Sequence, residues 1–412
     1  MNILYIDHYA GSISMGMEFR PYYFAKEWQK MGHKVRIIAA DYSHLRKINP
    51  VVDNDFEIQN IDDVEFQWIK TRRYVGNGVD RAVTMLQFCG KLWRRAGKVV
   101  KDFNPDIIIS SSTYPLDTYP AQKIKKYINN AKLVHEVHDM WPVTPMELYG
   151  MSKFNPFVVV MQMGENAFCR KSDMVVSVLP NAEDYLLEHG LKNNKFAYIS
   201  NGVVVDDWLE SEELPEIHQV AINRIREEGK LLIGFFGSIT PSYNIDIMLR
   251  ALARMNLSNV YFMIVGDGYY KDKLVSLANE LGLDESIYGF FPSISKKAIP
   301  TLIRQLDASY VAAVKNKMFR FGIGMNKLFD SMMGGAPVLY AVDAPNNMVL
   351  DYDCGISIEA ESVEALIQGI DVLLSMSEAE RKELGDNGHN AIMKYHTYNV
   401  LAQKFIELFA ES

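Results

Sequence analysis

A chain of 412 residues exceeds what one hydrophobic core usually holds, ~250–300 residues, so two domains are expected. Its 48% hydrophobic and 23% charged content is that of an ordinary globular protein, with no low-complexity or disordered block. A formal net charge of −8 argues against nucleic acid as a partner, and the scattered Cys89, Cys169 and Cys354 form neither a disulfide framework nor a zinc spacing.

The start of the chain, MNILYIDHYAG, lacks the basic lead of a signal peptide and continues as a strand, so a cytoplasmic protein is expected. The longest apolar stretch, Phe157–Met163, is far short of the ~20 residues of a membrane span, which leaves peripheral attachment to the inner face of the plasma membrane open. Short apolar runs at Ile3–Asp7, Val35–Ala40, Asp106–Ser110, Leu133–Val137 and Val175–Leu179 suit strands buried on both faces. Helix-period segments Pro21–Met31, Arg81–Lys101 and Leu116–Ile128 alternate with them, and Gly32 suits a helix C-terminus, so a parallel βαβα sheet is expected. A polar, Glu-rich stretch at Asp206–Glu228 carries no strand signal and reads as the start of the second domain. The pattern then restarts with Leu231–Phe236, Val260–Val265, Ile287–Phe291, Ala308–Val314 and Pro337–Ala341. A long closing helix, Ser377–Ala410, carries Tyr395, Tyr398, Leu401, Phe405, Leu408 and Phe409 on one side and is expected to return to the first domain. The expected domains are therefore 1–205 with 395–412, and 206–394, both doubly wound and Rossmann-like. Their ligands belong at the carboxyl ends of the strands, in a cleft where the two domains face each other.

The loop after the first strand, His8 to Arg20, is rich in small residues, and Gly16 suits a backbone that approaches a phosphate or sugar. It is not the GxGxxG dinucleotide fingerprint, and a plain surface loop is the bland alternative. After Leu133–Val137 come His138 and Asp139, where a carboxylate can orient an imidazole, although a structural histidine fits equally. His135 and His138 fall on opposite strand faces, which disfavours a shared metal, and no metal set is expected. In the second half, Gly237 and Ser238 end one strand, and Gly266 and Gly268 end the next, as turns that can offer amides to a diphosphate or serve structure alone. A glycine-rich loop from Arg320 then enters a helix that begins near Asn326 and places Lys327 and Asp330 at i and i+3 on one face. Asp330 can accept ribose hydroxyls and Lys327 can meet phosphate, whereas an exposed Lys327–Asp330 ion pair is the bland alternative. Arg72 and Arg73, with Arg94, Arg95 and Lys98 on the long helix, form a basic surface suited to an acceptor or an anionic membrane, or simply a solvated helix face.

At these residues the chain resembles the retaining glycosyltransferases of family 4, which have the GT-B fold. It is most similar to the bacterial branch that builds capsule and O-antigen polysaccharides, including proteins provisionally named N-acetylfucosamine transferases. The marks are GSISMGMEFRPYYFAKEW (11–28), EVHDMWPVTPMEL (136–148), ISNG (199–202), GDG (266–268) and FRFGIGMNKLFDSMMGGAPV (319–338). The resemblance implies metal-independent transfer of a sugar, with retention, from a nucleotide sugar, UDP-linked by expectation, to a polyprenyl-diphosphate-linked or saccharide acceptor, with no further cofactor. Members carry two acidic residues eight positions apart in the last motif; Asp330 stands at the second and Gly322 at the first. Ser238 and Tyr243 stand where many members carry a basic pair, so the diphosphate is assigned to Arg320 and Lys327. A sugar-nucleotide 2-epimerase or a non-catalytic nucleotide-sugar-binding subunit are the competing functions.

Overall fold

The computed structural model describes residues 1–16, 19–76, 78–255 and 258–409. Met17 and Glu18 of the first small-residue loop, and Ala410 at the end of the expected closing helix, lie outside the described residues. The chain divides into two compact units, Met1–Ser200 with Tyr398–Ser412, and Asn201–Thr397. These junctions lie a few residues from the expected 205/206 and 394/395.

In the first unit an eight-stranded sheet has the order β3-β4-β2-β1-β5-β6-β7-β8. Its strands are β1 Asn2–Ile6, β2 Lys34–Ala40, β3 Glu57–Ile61, β4 Val64–Ile69, β5 Ile107–Ser110, β6 Lys132–Val137, β7 Met174–Ser177 and β8 Phe196–Tyr198. All neighbours are parallel except β3 with β4, which form an antiparallel hairpin that the sequence reading missed. Ile3, Leu4, Ile37, Ile38 and Ile108 are fully buried, as expected of strands covered on both faces. The strand order reverses at β1, whose neighbours are β2 and β5, so the loops after β1 and β5 flank the switch point where such sheets receive ligands.

In the second unit a parallel sheet has the order β11-β10-β9-β12-β13-β14, built from Leu231–Phe236 (β9), Val260–Val265 (β10), Tyr288–Phe291 (β11), Ala308–Ala312 (β12), Val338–Ala341 (β13) and Gly355–Ser357 (β14). The switch point here lies between β9 and β12. The Glu-rich stretch forms helices Val205–Leu209 and Glu216–Glu227, whose Trp208, Ile222 and Ile225 enter the core.

The expected single closing helix is broken. Helix Glu378–Ala391, closed at its start by a capping box between Ser377 and Glu380, passes into a π-helical turn at Ile392–His396. Thr397 is extended, and a separate helix, Tyr398–Glu407, belongs to the first unit. Tyr398, Leu401 and Phe405 of that helix are buried, while Tyr395 is 44% exposed and does not join their stripe. The returning helix lies on helix Arg20–Lys30: Tyr23 meets Tyr398, Phe24 and Trp28 meet Phe405, and the Trp28 indole N–H donates to Ala402 O at 3.1 Å.

Candidate active site

In the first unit the switch-point loops lead to a buried charge network. Strand β6 carries Glu136 into the interior, where it is fully buried, and such a carboxylate persists only when paired and hydrogen-bonded. Arg20, at the start of helix Arg20–Lys30, supplies the pairing: its Nε and Nη2 donate to Glu136 Oε1 at 3.0 and 2.9 Å. The same guanidinium donates to the carbonyls of Ser200 (2.6 Å) and Ile199 (2.9 Å). The second oxygen, Oε2, accepts from the Tyr5 hydroxyl and from Ser111 Oγ at 2.7 Å. Burial alone would push the Glu136 carboxyl up, but Arg20, His138 and the Tyr5 hydroxyl hold it well below the usual carboxylate range.

His138 closes this network rather than pairing with its neighbour Asp139. Its Nε2 lies 2.7 Å from Ser111 Oγ and 3.3 Å from Glu136 Oε2. Burial pulls the imidazole toward its neutral form, but the Glu136 hydrogen bond and charge win and raise its pKa above the ordinary value. Asp139 fastens the loop, accepting from Met140 N (2.8 Å), Trp141 Nε1 (3.0 Å) and Thr144 Oγ1 (2.7 Å). The expected His138–Asp139 pair is thus replaced by His138–Glu136. His135 has its own partners: it stacks on Phe168 and bonds Ser110 Oγ, and burial lowers its pKa to about 3. A pocket beside His138 and Asp139 is also lined by Trp141 and by Glu165, whose carboxyl burial pushes up to about 7. Gly16 does not offer a free amide, because its N–H is shared between Ser12 O and Ile13 O, both at 3.2 Å. Its φ of +94° ends a tight turn beside Lys47, so glycine is needed there for backbone reasons.

In the second unit the expected glycines do converge. The turns after β9 and β10 run side by side, tied by Gly237 N to Val265 O (2.9 Å) and Ile239 N to Asp267 O (2.8 Å). A Cβ on Gly266 would lie 1.9 Å from Gly237 O, and one on Gly268 would lie 2.1 Å from Ile239 O, so only glycine fits at either position. Lys327 reaches this place from helix Asn326–Met333 and lies beside Gly237, whose Cβ, were one present, would meet Lys327 Nζ at 3.5 Å. The Lys327 ammonium is sealed between the rings of Phe235 and Tyr243, 3.7 Å from each centroid, and has no hydrogen-bond partner. Burial lowers its pKa to about 7. The exposed Lys327–Asp330 ion pair is therefore absent. Asp330 turns to a separate small cavity of about 40 Å³ lined by Gly202, Asp207, Trp208 and Lys296. Burial there raises its carboxyl to about 6, with Lys296 opposing and the Asp207 charge adding.

The glycine-rich loop before that helix is held by two asparagines. Asn346 exchanges hydrogen bonds with Ile323 N (2.8 Å) and O (2.7 Å), and Asn201 Nδ2 donates to Gly324 O at 2.9 Å. Arg320 is exposed on the 3-10 turn Lys317–Phe321, with Nη1 on Lys317 O and its guanidinium over Phe321. Asn326 and Ser238 are exposed. The basic surface of the first unit is mixed in sign. Arg72 pairs with Asp80 at 3.2 Å, Arg73 leans over Tyr42, Arg94 is exposed, and Arg95 and Lys98 border a cavity of about 280 Å³ with Asp55 and Asp102.

Sequence reasoning missed Arg20, Ser111, Glu136 and Asn346 as site residues. A glutamate inside the apolar run of β6 was the available signal, since an unpaired carboxylate has no place there. Among the described residues no group of three or more His, Cys, Asp or Glu is placed to hold a metal ion, and no helix is long and apolar enough to cross a membrane.

Comparison with known proteins finds two family models along the chain. Residues 15–207 match the family model Glycosyltransferase Family 4, and residues 219–391 match Glycosyl transferases group 1. WcaI of Escherichia coli (strain K12), provisionally named a colanic acid biosynthesis glycosyl transferase, is 22% identical over 61% of this chain. That match spans 62% of the relative, a little under two thirds of its length. A glycosyltransferase from Rickettsia africae superposes with a TM-score of 0.69 at 17% identity, over 100% of this chain and 98% of that one. HepE of Anabaena, solved with UDP and glucose, superposes with a TM-score of 0.65 at 15% identity over 100% of both chains. At such identities the superpositions speak for the fold, which is GT-B.

Proposed function

Since the chain belongs to the glycosyltransferases, its first unit to Glycosyltransferase Family 4 and its second to Glycosyl transferases group 1, we propose that it moves a sugar, with retention, from a UDP-sugar to a lipid-linked or saccharide acceptor in surface-polysaccharide synthesis. The observation that carries the proposal is the Lys327 ammonium, buried between two rings with no hydrogen-bond partner against the paired glycine turns at Gly237 and Gly266. A buried cation of this kind is costly in the free protein and is relieved by an anion, and a nucleoside diphosphate is an anion that glycine-lined turns can approach. HepE, of the same fold, was solved with UDP, which supports uridine as the base. In this reading Lys327 meets charge that grows on the leaving diphosphate, Arg320 adds a second cation from the neighbouring turn, and no metal is required. Asp330, with Gly202 beside it, accepts the ribose hydroxyls. His138, kept protonatable by Glu136, hydrogen-bonds the donor sugar or the acceptor hydroxyl during transfer. Gly322 in place of the first family carboxylate points to a donor sugar recognised by other groups.

A panel of nucleotide sugars tested for protection against thermal unfolding, followed by product analysis with the best donor, tests this. A ligand at 100 times its Kd adds ~2.7 kcal/mol, which such scans resolve. Protection by a UDP-sugar and a new glycosidic bond of retained anomeric configuration are expected. Protection without turnover would mean a binding subunit, and release of a free epimerised sugar would mean an epimerase.

A further inference from the structure

Exposed large apolar side chains are normally scattered singly over a protein surface. Here seven of the twenty-five among the described residues fall within Leu148–Met163. Phe154 is 79% exposed, Tyr149 71% and Met163 58%, and Met151, Val159 and Val160 accompany them. The helix Pro156–Lys171 explains the arrangement. Its inner side, with Val158, Met161, Gly164, Glu165, Phe168 and Cys169, is buried. Val159, Val160 and Met163, at i, i+1 and i+4, form a second apolar stripe on the opposite, open side. A helix apolar on two sides with one side uncovered is built to meet something.

The charges around the stripe identify what it meets. Arg170 follows Met163 by two helical turns, Lys171 stands beside it at the helix end, and Lys153 extends its amine over the Phe154 ring at 5.2 Å. All three are exposed. Within Leu148–Lys171 the only acidic residue, Glu165, is buried, and the exposed Glu147 borders the segment at its start, away from the helix Pro156–Lys171. In a chain of net charge −8, this segment therefore presents apolar and cationic groups and no exposed carboxylate.

We propose that the face formed by Leu148–Lys171 is a seat for an anionic lipid bilayer. Phe154, Met163 and the valines enter the headgroup boundary while Lys153, Arg170 and Lys171 pair with lipid phosphates. The surface is distinct from the mixed-charge face of helix Val79–Phe103, and the inference does not depend on which reaction the protein performs.

Flotation of the full chain with vesicles of phosphatidylcholine, alone or mixed with phosphatidylglycerol, tests it. Binding to the mixed vesicles that weakens with added salt is expected. Phe154→Ser with Met163→Ser should reduce partitioning by about tenfold or more, since two large apolar side chains are withdrawn. Lys153→Ala, Arg170→Ala and Lys171→Ala should each cost about fivefold, on the anionic vesicles alone. Arg94→Ala with Arg95→Ala and Lys98→Ala should leave binding unchanged. All these side chains are exposed, so an unshifted Tm will confirm folding, and protection by UDP measured on the same preparations tests the transferase reading separately. No flotation of the wild type, or flotation retained by both sets of variants on this face, overturns the proposal. So does a wild-type dimer on gel filtration that Phe154→Ser dissolves, which would assign the face to a second copy of the chain.

Discussion

Methionine at position 327 keeps an unbranched stem between Phe235 and Tyr243 and removes only the charge, so it isolates what the buried ammonium does. The gap between the ordinary 10.5 and about 7 corresponds to about 4–5 kcal/mol at full burial. The residue as a whole is half-buried and its ammonium faces two aromatic rings that offset part of the loss, so roughly 2 kcal/mol is the expected realised cost. The sign follows from proton uptake. Below pH 7 the amine is charged in folded and unfolded chains alike, and the whole cost bears on the folded state. Between pH 7 and about 10.5 the unfolded chain holds the proton that the folded chain has released, so stability rises with pH and the cost fades. Lys327→Met should therefore melt about 4–8 °C above the wild type at pH 6, with the difference closing near pH 10. A diphosphate should reverse the order: UDP should protect the wild type, drive proton uptake above pH 7, and protect the variant little. Thermal scans of both proteins from pH 6 to 10, with and without UDP, read all three effects. A variant that is less stable than the wild type at pH 6, or equally protected by UDP, would show that Lys327 already has a partner or that the diphosphate binds elsewhere.

Asp330→Asn should weaken UDP by about tenfold in calorimetric titration with kcat at saturating donor little changed, since ribose contacts persist through the reaction. Because burial raises the Asp330 carboxyl from 3.8 to about 6, ionisation costs the folded state as pH rises through that window, and the variant should gain stability at pH 7 but not at pH 4. His138→Ala should reduce kcat by a factor on the order of 10²–10³ with smaller change in donor affinity. Glu136→Gln should move the limb of the kcat–pH profile that reports His138 to lower pH, because the carboxylate is what raises that imidazole; an unmoved limb would detach Glu136 from the chemistry. The same substitution unpairs Arg20 in the interior and should cost about 3–5 kcal/mol in a thermal scan. Gly266→Ala should part the two turns and cost more than about 3 kcal/mol together with UDP protection, whereas Gly229→Ala, with positive φ but no heavy atom within 4 Å of the added Cβ, should cost only about 1–2 kcal/mol.

Strands sealed on both faces were legible because burial leaves an unbroken apolar run, as in Leu231–Phe236. Strand β3, Glu57–Ile61, was not, because only part of each residue is covered and its EIQNI pattern is mostly polar. Strands β8 and β14 are three residues each, below the length at which periodicity exists. The helix Glu216–Glu227 hid among glutamates because just His218, Ile222 and Ile225 face inward, at helical spacing that the surrounding charge obscured. In the site, the glycine turns were readable because steric need for glycine is written locally. Lys327 and Asp330 were found, but their divergence was not, since i,i+3 spacing places two Cβ atoms side by side and says nothing of what surrounds their tips. Glu136 needed Arg20, 116 positions away, before it could be understood as anything but an oddity in a strand.

The break at Ile392–Thr397 also sets an order of construction. Helix Tyr398–Glu407 supplies the Phe405 ring and the Ala402 carbonyl that Trp28 needs, yet the ribosome makes it after the whole of Asn201–Thr397. The second unit can close as soon as its own sequence has emerged. The first unit, though begun earlier, must wait with part of its aromatic surface uncovered until synthesis has passed Phe405, so the half of the protein that starts first is completed last.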